Sequence, residues 1–231
     1  MSNPNANAVP AARSRVNVRT VTSLAMLTAM TYVVMYLSKL LPQLYGFLQL
    51  EVKGTVVAIG GFLFGPLAAA AISIVVAVIE MFTVSDTGII GCVMNMLAAC
   101  SFACPAAFVY QKMRTKKGAV IGLTAGVAAL IATMLLWNYL ITPLYMPNFS
   151  RAQIAAMLPT VFLPFNLIKG ALNAVLTLVL YKPVVTALRK ARLVPETREG
   201  KQHRSIAAYL LLSLAAAATL ALLGMVLAGK I

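Results

Sequence analysis

Negative charge is nearly missing from this chain: five acidic side chains stand against 19 Lys and Arg in 231 residues, a formal charge of +14. Charge of either sign is scarce, at 10% of residues, while 61% are hydrophobic and the mean hydropathy is +0.90. A soluble domain cannot cover its surface with so few charges, so the composition excludes one and predicts an integral membrane protein in contact with lipid. A basic balance of this size suits nucleic acid only when it lies on a soluble domain. Here the basic residues fall between apolar runs, where the positive-inside rule places cytoplasmic loops, and nucleic acid is not expected as a partner.

Catalytic apparatus is also lacking. The single histidine, His203, sits in a basic linker and reads as solvated. There is no HExxH, no GxSxG and no paired-carboxylate spacing. The nearest approach to a phosphate loop, Gly224 to Lys230, has Ile231 where Ser or Thr is required, and no strand precedes it. An enzyme is not predicted, nor a cofactor or a metal. The three cysteines, Cys92, Cys100 and Cys104, share one apolar segment and read as small buried residues rather than a disulfide framework.

What is abundant is apolar run. Segments lie at roughly 20–41, 54–83, 88–111, 118–142, 159–182 and 205–229. The first follows Arg13, Arg15 and Arg19 and could mimic a signal peptide, but it has the length of a full span and no small-residue cleavage site, so a retained first helix is expected. The second is too long for one straight helix: 30 residues make about 45 Å against a hydrocarbon core of about 30 Å. Gly65-Pro66 falls near its middle. Charge decides for two helices, since only then do Lys112, Arg114, Lys116 and Lys117 share a side with Arg13 to Arg19 and with the basic stretch from Lys182 to Arg204. The expectation is an all-α integral membrane fold: a cytoplasmic tail at 1–19, a six-helix bundle at 20–192, a basic linker at 193–204 and an additional helix at 205–231, with the N-terminus cytoplasmic.

On that topology the polar residues of the apolar segments gather toward the outer side: Asn138, Glu80, Asn95, and Glu51 and Lys53 at the start of the second helix. Asn166, Lys169 and Asn173 are spaced i, i+3, i+7 and share a helix face. An ammonium at that depth costs on the order of 3 kcal/mol unless hydrated or paired. The face is therefore expected to look into a wet pocket; an ion pair with Glu80 and snorkelling to the rim are the alternatives. Tyr45, Phe47, Trp137, Tyr139 and Tyr145 suit an interfacial aromatic belt as well as ligand stacking. A cation, amides and flat apolar surfaces together fit a neutral or weakly acidic heteroaromatic molecule better than an ion or a sugar. Ala25 and Ala29 stack one turn apart in the first helix, a small-xxx-small pattern that permits close approach, within the chain or by a partner.

Five stretches carry a resemblance: "GGFLFGPLAAAAISIVVAVIEM", Ser85 to Gly91, "NMLAACSFA", "LLWNYLITPLYM" and "LPTVFLPFNLIKGALNAVLTLVLYKP". Together they resemble the riboflavin-specific substrate-binding subunit of energy-coupling-factor (ECF) vitamin transporters over about residues 20–192. The resemblance implies a six-helix subunit of a bacterial cell membrane that captures riboflavin or a close flavin from outside, covers it with the first outer loop, and docks on a transmembrane coupling subunit served by two ATPase subunits. It places Asn138, Asn166 and Lys169 at the polar edge of the flavin ring, Glu51 and Lys53 near the ligand, and Ala25 and Ala29 at the coupling subunit. Asn95 and Glu80, on the same outer side, complete the candidate substrate-binding set. The extra helix departs from the six-helix pattern. A stand-alone secondary carrier for a vitamin-like molecule is the rival, with Glu80 as its one intramembrane acid.

Overall fold

A computed structural model describes residues 18–45, 47–85, 87–145, 149–191 and 193–194. The tail with Arg13 and Arg15, most of the basic linker, and the additional helix expected at 205–231 lie outside the described residues. The helices are α1 (Val18–Ser38), α2 (Lys53–Phe64), α3 (Pro66–Thr83), α4 (Gly88–Met113), α5 (Lys116–Leu140), a short α6 (Thr142–Tyr145), α7 (Arg151–Met157), a π turn (Leu158–Phe162) and α8 (Leu163–Lys190). Among the described residues the only β feature is an isolated bridge between Leu44 and Leu48.

Four of these helices and the continuous stretch from Arg151 to Lys190 are long and apolar enough to cross a membrane. The second apolar segment is divided as the charge argument requires. Gly65 has φ 101°, a backbone region in which L side chains are strained, and its N–H reaches the Gly61 carbonyl at 2.8 Å, closing α2. Pro66 then opens α3 at a position where a missing N–H costs nothing. With 12 residues α2 is only about 18 Å long, so it cannot cross the bilayer. The loop that leads into it packs inside the bundle, where Leu44, Leu50, Glu51 and Lys53 are buried.

The sixth span differs from the 159–182 expected. It begins in the π turn, and Pro183 does not end it: α8 runs on to Lys190. A proline removes one backbone bond, a loss transmembrane helices accommodate locally.

The start of α1, the Gly65 turn, the α4–α5 turn and the end of α8 lie at one end of the bundle, and Arg19, Lys112, Arg114, Lys116, Lys117, Arg189 and Lys190 mark that basic end. At the opposite end lie the 39–52 loop, the α3–α4 turn and α7. The large core joins Leu27, Val57, Phe62, Ile72, Phe102 and Leu123. A separate small cluster of Leu44, Leu50, Phe165 and Ile168 seats the loop on α8. The tightest packing is between α4 and α5. A Cβ added at Gly126 would lie 2.3 Å from the Phe102 carbonyl oxygen, and one at Gly122 would lie 2.6 Å from that of Ala106. Only hydrogen at these positions lets the two backbones touch.

Candidate functional site

The loop end holds a chain of alternating charges inside an apolar bundle. Lys53, the first residue of α2, donates to Glu80 Oε2 of α3 at 2.6 Å and to Glu51 Oε1 at 3.2 Å. Glu51 Oε2 accepts from Lys169 of α8 at 3.2 Å, and Lys39, just past α1, lies 3.5 Å from Glu80 Oε1. Glu51, Lys53 and Glu80 are buried, at 3%, 6% and 1% exposure. Such burial is tolerable only because each carboxylate touches two ammonium groups. Burial alone would raise the Glu51 carboxyl; Lys53 and then Lys169 override it and hold it down at about 2.

Asn173 fixes the loop onto this chain. Its Nδ2 donates to the Glu51 carbonyl at 2.9 Å and to the Lys169 carbonyl at 2.8 Å, and its Oδ1 accepts from the Thr55 N–H at 2.8 Å. It thereby caps α2, whose own cap residue, Val52, offers no side-chain acceptor. Gln49 makes a second tie, donating to the Ser38 and Leu41 carbonyls at 2.9 and 3.1 Å. Phe47 meets Phe162 of the π turn edge-on, with ring centroids 6.2 Å apart.

Glu51, Lys53, Lys169 and Asn173 form the polar wall of a small hollow whose other sides are Gly54, Asn95, Ala98, Ala99, Phe102 and Leu130. Its volume is about 20 Å³, room for one or two water molecules. A polar wall facing an aromatic edge and alanines accepts the edge of a flat, hydrogen-bonding molecule. At this volume the hollow admits an edge and not a whole ring.

Of the residues singled out by sequence, Glu51, Lys53, Asn95 and Lys169 meet at this hollow. Lys169 is paired, but with Glu51; the expected alternative of Glu80 is instead taken by Lys53 and Lys39. The sequence could not choose between the two acids, because the descent of the loop that carries Glu51 has no local signature. Asn138 and Asn166 are buried but do not line the hollow. Asn138 Nδ2 donates to the Met134 carbonyl at 2.7 Å while its Oδ1 accepts from Thr142; Asn166 Nδ2 donates to the Phe162 carbonyl at 2.8 Å. Asn166 lies one turn above Lys169 toward the loop end. Ala25 and Ala29 are exposed on the outer face of α1, beside Met26 and Met30, and take no part in packing the bundle. Tyr45 and Tyr139 are exposed and Trp137 packs against the large core. Two contributors were missed: Asn173 as a cap between helices, and the glycines of α5, whose four-residue spacing at 118, 122 and 126 was a readable signal.

The family model for the ECF transporter, substrate-specific component, matches residues 19–181. The chain is 29% identical over 180 residues to the riboflavin transporter FmnP of Bacillus subtilis (strain 168), covering 73% of this chain and 95% of that one. It is 28% identical over 174 residues to the riboflavin transporter RibU of Staphylococcus aureus (strain TCH60), covering 73% and 91%. Against RibU of Streptococcus thermophilus (strain ATCC BAA-250 / LMG 18311) it is 26% identical over 183 residues, covering 75% and 86%. A solved structure reported under "Structure and mechanism of the S component of a bacterial ECF transporter" superposes with a TM-score of 0.61 at 22% identity, over 74% of this chain and 98% of that one, a likeness of fold.

Proposed function

The chain belongs to the substrate-specific components of ECF transporters, and from that membership we propose that it is the riboflavin-binding subunit of an ATP-driven uptake system. It is a transport subunit and not an enzyme, and it is a multi-pass membrane protein. The observation that carries the flavin reading is the hollow itself: Lys169, Glu51 and Asn173 present hydrogen-bonding groups beside Phe102 deep in an apolar bundle, in a chain whose similar relatives are riboflavin transporters. Hydrogen bonds made in such a dry place are stronger than in water and offset the desolvation of the groups that make them.

In this reading Lys169, Glu51, Lys53 and Asn95 contact the ring. Asn138 and Asn166 line the path above it once the loop and π turn have parted, and Glu80 holds Lys53 in place. The basic end faces the cytoplasm of a bacterial cell, so the hollow is reached from outside and the N-terminus is inside. The exposed strip around Ala25 and Ala29 docks on a transmembrane coupling subunit, and two ATPase subunits supply the energy. Residues 20–192 are the binding body.

The test is quenching of flavin fluorescence on titration with the purified chain. Tight quenching is expected, and Lys169→Ala weakens it by about 1.5 to 3 kcal/mol, the range for a hydrogen bond to a charged group. If Lys169→Ala binds flavin as before and only melts earlier, the Lys169–Glu51 pair is structural and the site lies elsewhere. A secondary carrier would keep its uptake after ATP depletion and lose it to an uncoupler. Glu80, clamped between two lysines, is poorly placed to carry a coupling ion.

A further inference from the structure

Resting on the reading of the α1 strip as the coupling-subunit face, we propose that the apolar run at 205–229 of the same chain lies along that strip and holds it until the coupling subunit takes its place. Two bonds show where the chain heads after α8. Ser23 Oγ of α1 donates to the Leu193 carbonyl at 2.6 Å, and Arg19 Nη2 donates to the Val194 carbonyl at 3.4 Å. The turn off α8 is closed by the Leu193 N–H, which reaches back to the Leu188 carbonyl at 2.9 Å. Val194 is buried, and Leu193 packs against the large core. The chain therefore leaves the described residues beside the first turns of α1, although α8 itself packs on α2 and α5.

At that point α1 has a side to offer. It packs on α2 and α3, while Val21, Ala25, Met26, Ala29, Met30 and Val33 stay exposed along the rest of its surface. The run at 205–229 lies beyond residues 19–181, the part matched by the family model, so it is an addition to the common body. Its composition suits the strip. Wound as a helix, Ser213, Ala217, Ala221, Gly224 and Ala228 would share one face. Small residues set against small residues let two backbones approach in lipid, where apolar bulk alone gives no preference for a neighbour over a lipid tail.

The depths also agree. Ala25, Ala29 and Val33 stand 7, 11 and 15 residues past Val18, and Ser213, Ala217 and Ala221 stand 8, 12 and 16 past Ser205. With both stretches rising from the basic end, the two sets would face each other within about 1.5 Å of rise. A tethered occupant meets the strip at an effective concentration of about millimolar, whereas the coupling subunit arrives by diffusion. The strip is thus covered in the lone chain, and a partner uncovers it only by making the larger contact.

The experiment uses the full chain carrying Val33→Cys and Ala221→Cys, which leaves Ala25 and Ala29 in place. It is oxidised in detergent with copper phenanthroline, and the disulfide is read by mass spectrometry as tryptic peptides 20–39 and 205–230 joined, in a band of monomer mass. Each single variant, which retains the native Cys92, Cys100 and Cys104, sets the background. Cross-linking is expected for this pair and not for Val33→Cys with Leu223→Cys, because Leu223 falls on the opposite side of the same helical winding. Purified together with its coupling subunit, the chain should cross-link at least about tenfold less, as mutually exclusive occupants require. No cross-link, or an equal one through Leu223, overturns the inference and leaves coupling-subunit docking untouched. A disulfide that joins two chains overturns it as well, since a second copy then covers the strip. An undiminished cross-link beside a co-purifying coupling subunit overturns the competition and moves the docking face off α1.

Discussion

Replacing Gly126 by alanine is the sharpest trial of the packing. The added methyl would sit 2.3 Å from the Phe102 carbonyl oxygen and 3.2 Å from its carbonyl carbon, both backbone atoms. A carbon and a carbonyl oxygen in contact keep about 3.3 to 3.6 Å apart, so α4 and α5 must separate by about 1 Å along their closest seam. Overpacking of this kind costs about 1 to 3 kcal/mol, and alanine's better helix propensity returns up to about 1 kcal/mol. The net loss is about 1 to 2 kcal/mol. Phe102 lines the hollow, so the same displacement also loosens flavin capture. Two neighbours calibrate the effect. At Gly122 the obstruction is a backbone oxygen at 2.6 Å; at Gly170 it is the Val127 side chain at 3.0 Å, which can yield. Thermal unfolding of the three alanine variants in one detergent should rank Gly126 as most damaged, Gly122 next and Gly170 least. A Gly126→Ala protein as stable as Gly170→Ala would refute the claim that the two backbones touch.

Two further outcomes follow from the charge chain. Lys53→Met leaves Glu51 and Glu80 short of their shared ammonium and should destabilise the protein by about 3 to 5 kcal/mol; adding Glu80→Gln should recover part of it, as thermal unfolding of both variants would show. The second concerns pH. Glu51 has a folded pKa of about 2 against an ordinary 4.5, so its contribution to stability is fully present above about pH 4.5 and is lost as pH falls toward 2. Glu51→Gln should flatten that part of a melting-temperature profile, and an unchanged slope would mean other carboxyls govern acid unfolding.

Much of the frame was legible because it rests on rules that act along the chain. The Gly65-Pro66 break, the alternation of basic turns and the shared face of Lys169 and Asn173 each follow from local geometry or from charge counting. The partner of Lys169 did not, since Glu51 and Glu80 are equivalent acids until the loop's descent brings one of them to α8. Asn138 and Asn166 were placed near the ligand by their depth and by the resemblance, which do not show what bonds an amide makes within its own helix. Their amides donate to carbonyls four residues back in their own helices, an option always open to a short polar side chain in an apolar helix. Ala25-xxx-Ala29 was noticed and the glycines of α5 were not, yet it is the glycines that pack the bundle and the alanines that remain outside it.

The patch of Leu44, Leu50, Phe165 and Ile168 shares no member with the large core. Two cooperative units of unequal size result, and the smaller can let go while the larger holds. Backbone amides around Leu50 should then exchange with heavy water far sooner than those of α4 and α5. A purified sample can also display full helicity and a sharp melt after its entrance has slackened, so circular dichroism is no proxy for competence to capture a vitamin.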